Sequence, residues 1–234
     1  MSSDRPSSTA LVIGASRGLG LGLVREYLRQ GWDVVATVRG DGRTGLHELA
    51  DSADGRLTIE QLEITDAAQI RALRQRLEGR IFDVLFVNAG VTNNPGETIG
   101  EVSTEEFIRV MVTNALSPLR VIENLERRVA ARGLIGVMSS GQGSVSNNEK
   151  GGHEVYRASK AALNMLMRSF AARHRDDPRT LLLLAPGWVQ TDLGGPEARL
   201  TIQDSIPNLV KVVEAQAGKS GLQYLDYLGR TVPW

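Results

Sequence analysis

The sequence contains no cysteine. That absence excludes a disulfide framework, a thiolate nucleophile and every cysteine-based zinc site. Histidine is scarce: His47, His153 and His174 lie far apart and form no metal-binding spacing, so no metal is expected. An excess of charge of either sign is missing too. Lys plus Arg number 27, Asp plus Glu number 27, and the formal net charge is zero. This balance gives no support to a nucleic-acid or anionic-membrane partner. No apolar run approaches the roughly 20 residues that a membrane-spanning helix needs. The opening MSSDRPSSTA is polar and lacks the apolar stretch of a secretory signal. A cytoplasmic location, with no nucleic acid and no membrane as partner, is the expectation.

What is present fits one α/β domain. The chain has 234 residues, 41% of them hydrophobic and 23% charged, enough to bury one sizeable core. Residues 1–9 are rich in Ser, Pro and Thr and read as a flexible N-terminus, leaving 10–234 as the domain. Consecutive apolar runs predict strands over 10–13, 33–38, 57–62, 84–87, 134–138 and 180–185, each buried on both faces. A short seventh strand is expected near 223–224. Helical spacing predicts helices over 19–30, 66–77, 104–131, 154–173 and 201–216, with a break at Pro118 inside the third. Alternation of strand and helix predicts a doubly wound parallel sheet of about seven strands with helices on both faces.

The first strand runs into Gly14-Ala15-Ser16-Arg17-Gly18-Leu19-Gly20, and a helix follows. Glycines at such a junction let the backbone turn tightly and approach a phosphate, which the helix N-terminus then binds. The spacing G-x-x-x-G-x-G differs from the commoner G-x-G-x-x-G. It reads either as a ligand-free turn or as a dinucleotide site, and its place after the first strand of an alternating chain favours the second.

A second constellation is Tyr156-Arg157-Ala158-Ser159-Lys160. Residues i and i+4 share a helix face, so a phenol and an ammonium lie close together. The ammonium is expected to lower the Tyr156 pKa and so improve it as a general acid–base group. Alone, the pair reads as well as an exposed Lys beside a half-buried Tyr. The fifth strand, however, ends in Ser139-Ser140-Gly141, at the sheet edge where open α/β folds bind ligands.

Together these motifs resemble the short-chain dehydrogenase/reductase superfamily. Gly14–Gly20 matches its cofactor loop, and Asn88-Ala89-Gly90 matches the motif after its fourth strand. Asn114, Ser140, Tyr156 and Lys160 match its catalytic tetrad, and Pro186-Gly187 matches the motif after its sixth strand. A narrower resemblance is to the group of Sniffer-type carbonyl reductases and the bacterial C-factor. It rests on the loop from Ser139 to Ser144, on Gly151-Gly152, on Tyr156 through Asn164, on Pro186 through Asp192 with Gly194-Gly195, and on the Pro233-Trp234 ending. Ile13, Val87 and Glu63 depart from the family pattern on the adenosine side. The resemblance implies a single-domain Rossmann fold and a reductase of aldehyde or ketone carbonyls, reversible as an alcohol oxidation. Tyr156 would be the acid–base group and Lys160 the holder of the nicotinamide ribose. Ser140 would orient the substrate oxygen, and Asn114 would hold a relay water. It also implies cofactor contacts at Gly14, Ser16, Arg17, Gly18, Leu19, Gly20, Arg39, Glu63, Ile64, Asn88, Ala89, Gly90, Tyr156, Lys160, Pro186, Gly187, Val189 and Thr191. Ser140 precedes Tyr156 by more than the commonest family spacing, so Ser144 stays open for the serine role.

The second strand ends Val38-Arg39 with no acid before Asp41, whereas NAD sites place an acid there for the ribose hydroxyl. Arg39 and Arg17 suit a 2′-phosphate, so NADPH (NADP) is the expected cofactor. Gln142, Ser144, His153, Trp188, Val189 and Leu193 are expected in or beside the substrate pocket, Trp188 more as packing than as recognition. The family habit implies a homodimer or homotetramer through the helices over 104–131 and 154–173. The alternative function is a nucleotide-bound signalling or regulatory protein of the C-factor type.

Overall fold

Runs of Val, Leu, Ile and Phe pack most densely when both faces of a strand are covered, and these runs form the centre of the molecule. In the computed structural model, which describes residues 8–234, β1 (Thr9–Ile13), β2 (Asp33–Val38), β3 (Leu57–Gln61) and β4 (Phe82–Val87) are followed by β5 (Val129–Met138), β6 (Thr180–Ala185) and β7 (Gly221–Asp226). They form one sheet in the order β3-β2-β1-β4-β5-β6-β7, with every neighbouring pair parallel. This is the expected doubly wound Rossmann fold. The order reverses between β1 and β4, where such sheets open a ligand crevice at the strands' carboxyl ends.

Successive residues of each strand point to opposite faces, and both faces are covered. On one side Leu11, Ile13, Leu85, Val87 and Ile135 meet α3 (Ala67–Arg76), α5 (Ser117–Leu125) and α6 (Glu154–Arg173) through Leu73, Ile122, Leu163 and Phe170. On the other, Ala10, Val12, Val84, Phe86 and Leu182 meet α1 (Gly18–Arg29) and α7 (Ile202–Gln216) through Leu23, Tyr27, Leu209 and Val213.

Four expectations need correction. Thr9 is ordered in β1: its N–H and hydroxyl bond to Asp83 and Ile81 at the start of β4. The expected flexibility of 1–9 therefore fails at Thr9, and residues 1–7 lie outside the described residues. A helix that periodicity did not reveal, α2 (Gly45–Asp51), is started by a capping box between Thr44 and His47. β5 begins at Val129, five residues before the predicted strand, and a register shift against β4 separates its two halves. The predicted helix over 104–131 is three pieces: α4 (Thr104–Met111), a π-helical turn (Val112–Leu116) and α5. The break falls just before Pro118, which occupies the first turn of α5, where its missing N–H does no harm.

No helix among the described residues is long and apolar enough to cross a membrane. Exposed apolar side chains gather where the helices over 104–125 meet α6, at Ile108, Leu116, Met165 and Leu166, the surface that the sequence reading assigned to self-association.

The centre of the sheet tolerates no added atoms. A Cβ on Gly136 of β5 would stand 2.6 Å from the Phe86 ring on β4. Gly136→Ala is expected to cost about 1–3 kcal/mol by overpacking, read as a lower urea midpoint with an unchanged slope. A midpoint equal to that of the wild type would show that the ring yields freely.

Candidate active site

The carboxyl ends of β1 and β4 are fastened to each other by side chains that only this turn geometry permits. Gly14 has φ +83°, and a Cβ there would lie 2.8 Å from the Ala89 backbone. Its N–H donates to Thr37 Oγ1 at 2.9 Å, and its carbonyl accepts from Asn88 Nδ2 at 2.7 Å. A Cβ on Gly20 would stand 2.1 Å from the Gly14 oxygen, so that position also requires glycine. Gly18 has φ +57° and faces Thr191 from across the crevice. α1 starts without a side-chain cap and without an acid in its first turn. Its free N–H groups therefore suit an anion, with Ser16 half-buried beside them and Leu19 packed on the core.

Two arginines stand at the rim. Arg17 pairs with Asp192 at 2.9 Å across the crevice, both side chains more than 70% exposed. Arg39, 76% exposed, lies 3.9 Å from Glu63. Glu63 in turn accepts from the Thr65 N–H and hydroxyl. Ile64 points into the core and leaves only its backbone for a ligand. The loop after β6 forms the opposite wall. The Pro186 carbonyl accepts from the Ser205 hydroxyl at 2.7 Å, and a Cβ on Gly187 would meet Leu200 at 2.5 Å. Val189 is buried and bridges to Leu200, and Thr191 Oγ1 accepts from the Gly194 N–H. Trp188 is half exposed, with its indole N–H on the Gly194 carbonyl; the packing role expected for it is not observed.

The polar centre lies where β4, β5 and α6 converge. Asn114 sits on the π-helical turn and is fully buried. It accepts from the Val91 N–H at 2.8 Å, and its Nδ2 donates to the Val91 carbonyl at 2.8 Å and to Ser159 Oγ at 2.9 Å. Ser159 Oγ then donates to the Tyr156 carbonyl. Such one-turn bulges concentrate at functional sites, and this one ties β4 to α6. Gly90 leaves the gap between Asn114 and Lys160: a Cβ there would be 3.4 Å from Asn114 Oδ1 and 3.5 Å from Lys160 Nζ. Lys160 is buried on α6 and donates to the Met138 carbonyl at 2.9 Å. Its ammonium stands 5.8 Å from the centre of the Tyr156 ring. Ser140 accepts from the Gln142 N–H, and its side chain hydrogen-bonds Tyr156.

The electrostatics reverse one expectation. Burial pushes the Tyr156 phenol up to about 12, against a bond from Ser140 that acts to lower it, while the phenol of Tyr224 adds to the rise. Lys160 does not offset this, because burial pushes its own pKa down to about 8. The i, i+4 spacing brings the two groups together as expected, but burial, which the spacing cannot report, outweighs their attraction.

The sequence reading missed Thr37, Ser159, Asn164, Tyr224 and Trp234 as parts of the site. Asn164 bonds the Ser139 hydroxyl at 2.6 Å, so Ser139 is occupied. Ser144 is buried and held by the Asn147 N–H at 3.2 Å and by a Trp234 oxygen at 3.4 Å. Among the described residues no cluster of His, Asp and Glu resembles a metal site.

A buried amine makes stability depend on pH in a definable direction. The folded-state pKa of Lys160 lies near 8, below the ordinary value of 10.5. Between those values the unfolded chain binds more protons at this position, so stability rises with pH. The wild type is therefore expected to gain stability relative to Lys160→Met between about pH 7.5 and about pH 9.5, read from paired urea midpoints. Curves that run parallel would sink the assignment.

Comparison with known proteins agrees with this geometry. The family model for short chain dehydrogenases matches residues 8–199. A short-chain dehydrogenase/reductase from Burkholderia multivorans, solved with bound NADP, is 60% identical over 98% of this chain and all of its own, with a TM-score of 0.97. The carbonyl reductase Sniffer of Drosophila melanogaster is 28% identical over 98% of this chain and all of its own, with a TM-score of 0.88. C-signal from Myxococcus xanthus is 39% identical over 154 residues, which are 65% of this chain and 92% of that protein. A glycine-bounded crevice at the switch point, a buried Tyr–Lys pair beside it and a family match over most of the length lead to one conclusion: this chain is an oxidoreductase of the short-chain dehydrogenase/reductase family.

Proposed function

We propose that residues 10–234 form an NADPH-dependent reductase of aldehyde or ketone carbonyls, able in reverse to oxidise the alcohol with NADP, with Tyr156 as general acid and base. The observation that carries this reading is the convergence of Ser140, Tyr156, Lys160 and Asn114 at the carboxyl edge of the sheet, beside a crevice with an uncapped helix N-terminus.

The crevice fits a dinucleotide. Gly14, Gly18 and Gly20 keep Cβ atoms out of the turn, and α1 offers free N–H groups to a pyrophosphate. Asn88, Ala89 and Gly90 would form the floor, with Pro186, Gly187, Val189 and Thr191 as the far wall. Glu63 and the Ile64 backbone stand at the adenosine end. Arg39 and Arg17 are exposed and held only by surface pairs, which are weak, so both are free to turn to a 2′-phosphate. The relative from Burkholderia multivorans that carries NADP supports the same choice. NADPH, when bound, supplies the hydride that reduces the carbonyl carbon.

The chain's own groups do the rest. Ser140 and Tyr156 both present hydroxyls to the substrate oxygen. With its pKa near 12, Tyr156 is a neutral phenol at physiological pH and therefore a proton donor, which suits reduction. As negative charge develops on the substrate oxygen, the Tyr156 proton passes to it and the alcohol results. Lys160 stabilises the phenolate left behind, and Asn114 would help hold a relay water through which solvent returns the proton to Tyr156. Ser140 is favoured over Ser144, whose hydroxyl is committed to the loop and to Trp234. The likeness to C-signal favours a second reading, a nucleotide-bound signalling protein. An intact acid–base pair has no use in a protein that only binds.

Two measurements test this. A carbonyl panel assayed with NADPH supplies the substrate. On it, Tyr156→Phe is expected to lower kcat by about 10²–10⁴-fold, the usual worth of general acid–base catalysis, while the NADPH dissociation constant stays within about twofold. Near wild-type kcat would remove Tyr156 from the mechanism. No turnover by the wild type on any carbonyl would favour the signalling reading.

The cofactor choice is tested separately. Arg39→Ala is expected to lose about tenfold to a hundredfold in kcat/KM with NADPH and little with NADH, since charge-assisted bonds are worth about 1.5–3 kcal/mol. An equal loss with both cofactors would show that Arg39 does not read the 2′-phosphate.

A further inference from the structure

Ser140 caps a short turn, Gly141–Gly143, that packs on α6 just beyond the end of β5. α6 holds the turn from one side. A second hold comes from the far edge of the sheet. Tyr224 of β7 is buried, and its phenol reaches past β6 to donate to the Ser140 carbonyl. The side chains of Asn164 and Ser139 hydrogen-bond the same phenol. Asn164 also donates from Nδ2 to the Gly143 carbonyl at 3.1 Å and accepts from the Ser139 hydroxyl at 2.6 Å. Both ends of the turn are therefore gripped from one buried hub, and neither Tyr224 nor Asn164 belongs to the Ser–Tyr–Lys–Asn set.

The grip has an outer layer. The Trp234 ring lies 5.4 Å from the Tyr224 ring, under the Arg168 guanidinium at 4.8 Å. A Trp234 backbone oxygen accepts from the Ser146 N–H at 3.0 Å and the Ser146 hydroxyl at 2.7 Å. The same tryptophan that braces Tyr224 thus ties down the chain just after the turn.

From this arrangement we propose that Tyr224 is a positioning residue: by bonding the Ser140 carbonyl it fixes where the Ser140 hydroxyl stands relative to Tyr156. The proposal rests on the reading that Ser140 and Tyr156 carry the reaction. Small misplacements of such groups are costly, with about 1 Å worth as much as a hundredfold in rate. The hydrogen bonds of the Tyr224 phenol go to the Ser140 carbonyl and to the side chains of Asn164 and Ser139, none of them a proposed cofactor contact. Its loss therefore affects the chemical step and leaves cofactor binding intact.

The test uses the full chain and the best carbonyl of the panel. Tyr224→Phe keeps the ring against Trp234 and removes only the hydroxyl. It is expected to lower kcat tenfold or more and to leave the NADPH dissociation constant, measured by fluorescence, within twofold. The double variant Tyr224→Phe/Ser140→Ala is expected to be no slower than Ser140→Ala alone, because a serine that is gone needs no positioning. General loosening of the structure would instead multiply the two losses. Asn164→Ala, which releases Gly143 at the other end of the turn, provides a second variant with the same expected pattern should Tyr224→Phe unfold. The proposal is overturned by a Tyr224→Phe enzyme with wild-type kcat, or by multiplicative losses in the double variant, while Ser140→Ala itself is slow. A Ser140→Ala enzyme with wild-type kcat would instead overturn the reading of Ser140 on which the proposal rests.

Discussion

An amine is buried at the carboxyl edge of this sheet without an ion pair to any carboxylate among the described residues, and the surrounding site is organised around that constraint. Lys160 Nζ donates to the Met138 carbonyl, and burial has taken its pKa down to about 8. An uncompensated buried cation is among the more destabilising things a fold can contain. Here it is carried by a sheet packed on both faces with two continuous apolar clusters. Strongly shifted groups in a cleft are a mark of function rather than of stability. Placing the amine between Gly90, Asn114 and Met138 keeps it close to Tyr156 while denying it water.

The same burial explains why Tyr156 is an acid at rest. Burial raises the Tyr156 pKa to about 12, so the phenol stays protonated even beside an amine that, with a pKa near 8, is still largely charged at neutral pH. Asn114 contributes by geometry. Asn114 stands within the π-helical turn that joins α4 to α5. From there its amide satisfies both polar groups of Val91 and the Ser159 hydroxyl.

Much of this was legible in the sequence, for specific reasons. Strands buried on both faces appear as unbroken apolar runs, so β1, β2, β4 and β6 stood out. The first half of β5 did not, because Ala130-Ala131-Arg132-Gly133 has only small side chains and one charge, and a register shift falls there. The π-helical turn was invisible to a 3.6-residue period, which continues through one inserted residue. Tyr156 and Lys160 were legible because they are four positions apart on one helix. The direction of the Tyr156 shift was not, since it depends on burial. Tyr224 and Trp234 were hidden for the plainest reason: they act on residues 84 and 90 positions away, and no local pattern marks such a contact.

The two halves of the site are held by different kinds of bond, and this difference follows from what each half must do. The half proposed as catalytic is held by buried or part-buried neutral hydrogen bonds: Asn114 to Val91, Asn164 to Gly143, Tyr224 to Ser140. Away from water such bonds are stronger than in solution. The adenosine half is fixed by exposed ion pairs, Arg17 with Asp192 and Arg39 with Glu63, each worth little and screened by ordinary ionic strength. On the proposed reading a dinucleotide would enter and leave past these pairs in every cycle, and a weak clasp would open for it at small cost. The hydride and proton, by contrast, would move over short distances that allow no slack. The firmer bonds would then stand behind Ser140 and Tyr156, and the weaker ones at the rim where the phosphates would pass.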